Sequence, residues 1–205
     1  MKMLTSQHNK TIRQHIRQRR QALTALEQQQ AATDLVTQFA NHADFCAARD
    51  IAIYLTNDGE LNTQPLIEWL WSAGKTVYLP VMHPFQSGYL LFQRYQISTP
   101  MHINRFGIAE PKLDCSAICP VAQLSLICLP LVAFDDKCHR LGMGGGFYDR
   151  TLSQLSQLSP ASGRLAKPIL LGLAHPCQQV ESLPQQPWDV PLDAILTPTK
   201  RWSAV

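Results

Sequence analysis

Hydrophobic positions in the first part of the chain recur every three or four residues. This spacing predicts a helix over residues 9–23 and a second one from Thr24 to about Phe45. Thr24 and Glu27 have the spacing of a capping box, in which a threonine and a glutamate satisfy the first amides of a helix. The second predicted helix therefore begins at Thr24.

Later segments are apolar without helical spacing, which is typical of strands buried on both faces of a sheet. They alternate with two further predicted helices. One begins after Asn62 or Thr63 and ends before Gly74, and the other runs from about Phe147 to Leu158. The predicted strands are residues 51–56, 76–81, 89–95, 124–134, 169–174 and 194–197. This alternation predicts an α/β fold, a three-layer sandwich with a mostly parallel sheet and helices on both faces.

Composition supports a single globular domain that spans residues 1–205. Hydrophobic residues make up 45% of the chain and charged residues 16%. No run approaches the ~20 apolar residues of a membrane span, and the first residues lack the apolar stretch of a signal peptide. The six cysteines form no CxxC pair, so we expect reduced thiols rather than disulfides or a zinc site. These features predict a cytoplasmic protein without a membrane partner.

The positive charge of the chain is local. The formal net charge is +3, and the surplus lies in the first segment, at Lys10, Arg13, Arg17, Arg19 and Arg20. Such a cluster suits a phosphate ligand. No aromatic residue interleaves it, as would be typical of a nucleic-acid surface, so we expect no nucleic-acid partner.

The segment RLGMGGGFYD, Arg140–Asp149, is the strongest candidate for chemistry. Four glycines within Gly142–Gly146 allow positive backbone φ angles and close approach of a ligand, and the predicted helix that follows offers unpaired N–H groups. The run matches neither the Walker A loop nor the G-x-G-x-x-G dinucleotide motif. It predicts a binding site for an anion such as phosphate.

Charged and aromatic residues beside the glycine run extend this prediction to a nucleotide. Arg140 can neutralise phosphate charge, Asp149 can hold Mg²⁺, and Phe147 or Tyr148 can stack on a planar ring. Glu60 follows the first predicted strand, where a carboxylate can bind the N–H groups of a heterocycle. Each residue alone has an ordinary structural explanation, so the prediction rests on their combination.

The longer segment LPLVAFDDKCHRLGMGGGFYDRTL, Leu129–Leu152, resembles the signature of the 5-formyltetrahydrofolate cyclo-ligase family, also called methenyltetrahydrofolate synthetases. Further similar segments are YLTNDGELNTQPLI, GKTVYLPV, NRFGIAEP and WDVPLDAILTP. The resemblance implies a monomer that uses ATP and Mg²⁺ to close 5-formyltetrahydrofolate, with or without a polyglutamate tail, to 5,10-methenyltetrahydrofolate. The formyl oxygen would be phosphorylated first, and ADP and phosphate would be released.

The resemblance also implies roles for individual residues. Arg140 and Tyr148 are the catalytic candidates, Leu55 and Glu60 would contact the folate, and Asp149 and Asp189 would hold the metal. The implied ATP-binding residues are Asn9, Lys10, Thr11, Ile12, Arg13, Arg140, Leu141, Gly142, Met143, Gly144, Gly145, Gly146, Phe147 and Tyr148.

Three positions differ from many members of that family. Relatives often carry a basic residue where Met143 stands and a lysine where Gly145 stands, and Lys10 lies one place after their usual lysine, at which this chain has Asn9. These differences keep two other functions open. An ATP-dependent enzyme for another heterocycle would keep the glycine run but would not need Glu60, and a non-catalytic protein would bind folate or RNA.

Overall fold

Helices and strands alternate through residues 2–157 and 167–204, which are the residues described in this computed structural model. The helices are α1 (Lys2–Gln21), α2 (Ala25–Ala40), α3 (Ala43–Ala47), α4 (Gln64–Ser72) and α5 (Phe147–Leu152). The strands are β1 (Asp50–Ala52), β2 (Thr76–Met82), β3 (Leu90–Tyr95), β4 (Met101–Ile103), β5 (Ala109–Pro111), β6 (Ile118–Cys119), β7 (Leu126–Leu129), β8 (Ala133–Phe134), β9 (Arg140–Leu141), β10 (Ile169–Leu173), β11 (Ala194–Leu196) and β12 (Arg201–Ser203).

Eight of these strands form one sheet in the order β12-β11-β10-β7-β1-β2-β3-β6. The five from β11 to β2 are parallel to one another, while β12 and β3 run antiparallel to their inner neighbours. Ile51 in β1 pairs with Val77 on one side and Leu126 on the other. The predicted mostly parallel sheet is confirmed.

Apolar side chains on the two faces of the sheet belong to different cores. Ile51 and Ile53 pack with residues of α2, α3 and α4, such as Phe39 and Leu70. Ala52, which points the opposite way because side chains alternate along a strand, packs in a second cluster with residues of α5 and β12. The α/β three-layer arrangement therefore has helices on both faces.

The second predicted helix starts correctly but ends early. Thr24 and Glu27 form the expected capping box. The helix stops at Ala40 rather than near Phe45, and the short helix α3 follows. The rings of Phe39 and Phe45 still pack 5.4 Å apart. The apolar spacing therefore continues past the end of α2 and gives no sign that the helix has ended.

Two predicted strands are also shorter than expected. Strand β1 ends at Ala52 and not at Thr56, because side-chain bonds replace the ladder: the hydroxyl of Thr63 donates to the carbonyl of Tyr54 at 2.6 Å. The apolar run 124–134 is divided into β7 and β8 around Pro130, whose missing N–H cannot continue a ladder. Strand β8 pairs instead with β9.

The regions around the glycine run differ from the sequence prediction in two ways. The segment 101–111, in which no strand was predicted, forms the hairpin of β4 and β5. Helix α5 ends at Leu152 and continues as a 3-10 turn over Ser153–Gln157. Its predicted end at Leu158 lies outside the described residues. No described helix is both long and apolar enough to cross a membrane.

Candidate active site

An open cleft of about 1610 Å³ runs past the carboxyl ends of β1, β2 and β7 and along α5. Leu55, Met82 and Leu131 follow or end these strands and lie in the cleft wall. Ligands of open α/β sheets commonly bind beyond the carboxyl ends of parallel strands. The position of the cleft is therefore the one expected for a substrate site.

Most of the predicted site residues line this cleft. They are Asn9, Arg13, Leu55, Glu60, Arg140, Leu141, Gly142, Met143, Gly144, Gly145, Gly146, Phe147, Tyr148, Asp149 and Asp189. Three predicted ATP contacts are not part of the lining. Lys10 and Thr11 are exposed on α1, and Ile12 packs toward Ile16 in a small core cluster.

The glycine loop, defined as Gly142–Gly146, connects β9 to α5. Gly144 and Gly146 have φ angles of 96° and 65°, which side chains other than glycine rarely adopt. The Nε of Arg13 donates to the carbonyl of Gly142 at 2.8 Å. Within the described part of the chain, no loop amide donates a hydrogen bond to another protein group. Its N–H groups are therefore free to bind an anion.

Arg140 and Asp149 form an ion pair at the two ends of this loop. An Nη2 hydrogen of Arg140 is donated to Asp149 Oδ1, and the Arg140 side chain is 5% exposed. Its Nε is buried and has no hydrogen-bond partner among the described residues. Asp149 Oδ1 also accepts the amide of Val190 at 3.4 Å, which brings the segment containing Asp189 beside the loop.

The acidic turn, defined as Asn57–Glu60, is held by side chains of α1. Asp58 has a φ of 51°, and its carboxylate accepts hydrogen bonds from Arg17 at 2.6 and 3.0 Å and from Arg20 at 2.8 Å. The bonds from Arg17 are the main cause that holds the pKa of Asp58 below its usual value. Since Arg20 is 0% exposed, this ion pair fixes the turn to the protein interior.

Glu60, at the end of the acidic turn, has an unusual protonation equilibrium. Burial raises the pKa of its carboxyl to about 7, although the positive charge of Arg20 and a hydrogen bond from the Asn57 amide favour the ionised form. That amide lies 3.3 Å from Glu60 Oε2. Near neutral pH, Glu60 can therefore either accept or donate a hydrogen bond.

Two tyrosines adjoin Glu60 at the floor of the cleft. Burial and the negative charge of Glu60 raise the pKa values of both Tyr54 and Tyr148. Both hydroxyls therefore stay protonated at neutral pH and can donate a hydrogen bond. The Tyr54 hydroxyl is buried without a hydrogen-bond partner in the described ranges.

The β4–β5 hairpin forms a part of the cleft that no site prediction included. Phe106 at its tip is 53% exposed, and its ring meets that of Phe147 edge to face at 5.8 Å. Buried Glu110 accepts the side-chain amide of Asn104 at 2.9 Å and so shapes the tip. The similarity of the segment NRFGIAEP to the cyclo-ligases was the available signal for this region.

Trp188 and Arg150 also line the cleft without having been predicted. Trp188 is 61% exposed and belongs to the similar segment WDVPLDAILTP. Arg150 directly follows Asp149 in the glycine-run signature. Its contacts depend on a distant turn of the chain, so sequence spacing contained no signal for its role.

Comparison with known proteins assigns the family of this chain. The model of the 5-formyltetrahydrofolate cyclo-ligase family matches residues 5–198. The chain belongs to this family. The match includes the glycine loop, the acidic turn and the β4–β5 hairpin, which are the segments that build the cleft.

Individual relatives agree with that assignment. A protein of Escherichia coli (strain K12) named 5-formyltetrahydrofolate cyclo-ligase is 48% identical over 187 residues, which cover 91% of this chain and 98% of the relative. A protein of Haemophilus influenzae with the same name is 48% identical over 193 residues, covering 94% and 99%.

Solved structures support the fold. A 5,10-methenyltetrahydrofolate synthetase of Aquifex aeolicus superposes with a TM-score of 0.78 at 24% identity, covering 95% of this chain and 92% of that one. A 5,10-methenyltetrahydrofolate synthetase of Mycoplasma pneumoniae superposes with a TM-score of 0.69 at 23% identity, covering 93% and 98%.

Proposed function

We propose that this protein catalyses the ATP-dependent closure of 5-formyltetrahydrofolate to 5,10-methenyltetrahydrofolate, with release of ADP and phosphate. The observation that carries the proposal is that one cleft joins the glycine loop to Glu60, in a chain 48% identical to cyclo-ligases of two bacteria. A reaction between two substrates requires both to bind side by side. The cleft contains an anion-binding segment next to a segment suited to a heterocycle.

The phosphates of ATP would bind at the glycine loop. Its free amides favour an anion, and Arg13 and Arg140 add positive charge. Arg140 Nε and Asn9 Oδ1 are buried atoms without hydrogen-bond partners among the described residues. Groups of this kind favour a polar ligand that supplies the missing bonds.

In the first step, the formyl oxygen attacks the γ-phosphorus of ATP and ADP leaves. In the second, N10 of the folate attacks the formyl carbon, the N10 proton is released, and phosphate departs with the former formyl oxygen. Phosphoryl transfer depends mainly on positioning and charge neutralisation. Arg140 would neutralise the transferred phosphoryl group, and the protonated hydroxyl of Tyr148 would donate a hydrogen bond. No protein nucleophile is required.

The folate would lie against Leu55 and Glu60 at the end of the first strand region. Leu55 supplies apolar contact in the cleft wall. Glu60, with a pKa of about 7, can bind the N–H groups of a pterin or its formyl-bearing edge. In the proposed reaction, the formyl group would point toward the glycine loop.

Mg²⁺ would be held by Asp149 and Asp189. The described residues contain no group of three or more side chains suited to hold a metal by themselves. Two carboxylates in the cleft nevertheless fit Mg²⁺, which commonly uses one or two protein carboxylates together with phosphate oxygens. When bound, the ion supplies charge neutralisation on the phosphates.

The finer properties of the enzyme follow from the same site. The open cleft leaves room for a polyglutamate tail, and Lys167 in its wall can pair with a carboxylate. We propose a monomer, as the resemblance to the cyclo-ligase family implies. The six cysteines form no disulfide, which supports action in the reducing cytoplasm.

The test follows the absorbance of 5,10-methenyltetrahydrofolate when 5-formyltetrahydrofolate is incubated with and without Mg-ATP. We expect product from the wild type only with ATP, and its loss in Asp149→Ala. Asp136→Ala, which removes an exposed carboxylate outside the cleft, is the control and should retain activity. No product from folded wild type would overturn the proposal.

A further inference from the structure

Arg150 joins the glycine loop to a turn whose Gly88 lies 62 residues before this arginine in the chain. Arg150 in α5 donates from Nη2 to the carbonyl of Gly145 in the loop. Its Nε donates to the carbonyl of Gly88 at 2.9 Å, in the turn that connects β2 to β3. One guanidinium therefore binds two carbonyls that belong to different structural elements.

Two glycines leave the space that this guanidinium occupies. A Cβ atom added to Gly88 would collide with Arg150 Nη2, and one added to Gly146 would lie 2.8 Å from Arg150 Nη1. Both glycines have positive φ angles, 84° and 65°. A glycine at position 88 thus allows the positive φ of the turn and leaves the space that the guanidinium of Arg150 occupies.

The neighbouring Thr151 makes a second connection between α5 and the same hairpin. Its hydroxyl accepts the amide of Leu90 in β3 at 2.9 Å and donates to the carbonyl of Phe147 at 2.8 Å. Thr151 is 2% exposed, so this connection is shielded from water. The start of α5 is consequently fixed to β3, and Arg150 extends that attachment to the glycine loop.

The loop needs such attachment because it is rich in glycine. Ordering glycine costs more backbone entropy than ordering any other residue. Arg13 binds the carbonyl of Gly142 near the start of the loop, and Arg150 binds that of Gly145 near its end. With these carbonyls bound to guanidinium groups, the loop amides remain available to a ligand.

We propose that Arg150 is a positioning residue for ATP, which holds the glycine loop in its phosphate-binding shape by tying it to the Gly88 turn. This inference rests on the proposed function, since it takes the loop to bind ATP. Arg150 acts through the loop and not on the folate. Its loss should therefore affect ATP much more than 5-formyltetrahydrofolate.

The first test compares Arg150→Ala and Arg150→Lys with Arg94→Ala, which removes an exposed arginine of β3 outside the cleft. We expect both Arg150 variants to raise the KM for ATP by about ten- to a hundredfold, the range for charge-assisted hydrogen bonds. A lysine keeps the charge but cannot place donors at both the Nε and the Nη2 positions of the arginine. The KM for 5-formyltetrahydrofolate should stay within about twofold, and added guanidinium should restore ATP use in Arg150→Ala.

The second test disturbs Arg150 without changing it. Gly88→Ala places a methyl group where the guanidinium lies, whereas Gly74→Ala has a similar φ of 71° and nothing within 4 Å of the added Cβ. Both variants incur the same backbone strain, and we expect the ATP defect in Gly88→Ala alone. This comparison keeps the inference testable even if Arg150→Ala folds poorly.

Binding of a non-hydrolysable ATP analogue with Mg²⁺, measured by calorimetry, separates this inference from the proposed function. Weaker analogue binding by Arg150→Lys and Gly88→Ala would support the role of Arg150 even if no cyclisation occurred. The inference is overturned if both variants keep wild-type affinity for the analogue. It is also overturned if both KM values rise equally and guanidinium restores nothing.

Discussion

The glycine loop and the acidic turn are two irregular segments of one cleft, and arginines hold both. In the acidic turn, the arginines bind a carboxylate: Arg17 and Arg20 converge on Asp58. In the glycine loop, Arg13 and Arg150 bind backbone carbonyls. The same type of side chain therefore fixes two segments by different means.

This difference determines the charge that each segment offers a ligand. A carboxylate neutralises an arginine, whereas a carbonyl oxygen leaves the positive charge in place. The glycine loop consequently keeps an excess of positive charge beside free amides, which suits phosphate. In the acidic turn, the carboxylate of Asp58 is bound by Arg17 and Arg20, and the group left for the neighbouring substrate is Glu60, with a pKa near 7.

The largest effect is expected from removing the carboxylate of the acidic turn. Asp58→Ala would leave Arg20, which is 0% exposed, without its ion-pair partner, and breaking a buried ion pair typically costs about 3–5 kcal/mol. Urea unfolding measures this loss. Asp44→Ala breaks the more exposed pair with Arg201 and should cost about 1 kcal/mol or less. Equal losses would show that the acidic turn is not specially fixed.

A smaller effect concerns the pH dependence of stability. The folded-state pKa of Glu60 is about 7, against an ordinary value of 4.5 for a glutamate, so the folded protein holds this proton more tightly than the unfolded chain. Its contribution to stability is present below the unfolded pKa and is lost as pH rises through about 7.

Glu60→Gln removes this dependence. Relative to wild type, the variant should gain about 1–3 kcal/mol between pH 5 and pH 8, measured by unfolding at each pH. The difference between the free energies of unfolding of the two proteins cancels the contributions of other titrating groups. Among these is His175, whose pKa burial lowers to about 4. A difference that is constant with pH would contradict the raised pKa of Glu60.

The smallest effect is expected from adding charge to the glycine loop. Met143 is 54% exposed, so Met143→Lys should change the free energy of unfolding by about 0.5 kcal/mol or less. It should lower the KM for ATP by roughly two- to fivefold. Gly145→Lys is the contrasting variant, because its Cβ would lie 2.9 Å from Phe147 Cδ2. Steady-state kinetics measures the KM for ATP of both variants. An unchanged KM for ATP in Met143→Lys would argue against phosphate near this position.

The sequence predicted six of the eight strands of the sheet because buried strands are apolar, but it missed β6 and β12, the short strands at the two edges. It did not predict where β1 ends, since the side-chain bond from Thr63 to the Tyr54 carbonyl depends on tertiary structure. The break between α2 and α3 was hidden for a related reason. Phe39 and Phe45 pack together across this break, and the spacing of the apolar residues alone predicts one continuous helix.

Predicted site residues that belong to one segment of the chain also lie together in the structure. The glycine run and its flanking Arg140 and Asp149 are adjacent in sequence, and all line the cleft. Lys10 was predicted from its charge, yet it is exposed and is not part of the cleft lining. The bridge from Arg150 to Gly88 joins residues far apart in the chain, and no local pattern encodes such a pair.

The central claim is that the glycine loop binds ATP while the acidic turn binds the folate. Two-substrate steady-state kinetics of Gly144→Ala and Glu60→Gln, measured side by side, tests it most directly. Gly144 has a φ of 96°, a conformation that residues with a side chain rarely adopt, so its substitution distorts the loop. We predict that Gly144→Ala raises the KM for ATP and Glu60→Gln the KM for 5-formyltetrahydrofolate, each by about tenfold or more. If both variants raised the same constant, the division of the cleft between two substrates would be wrong.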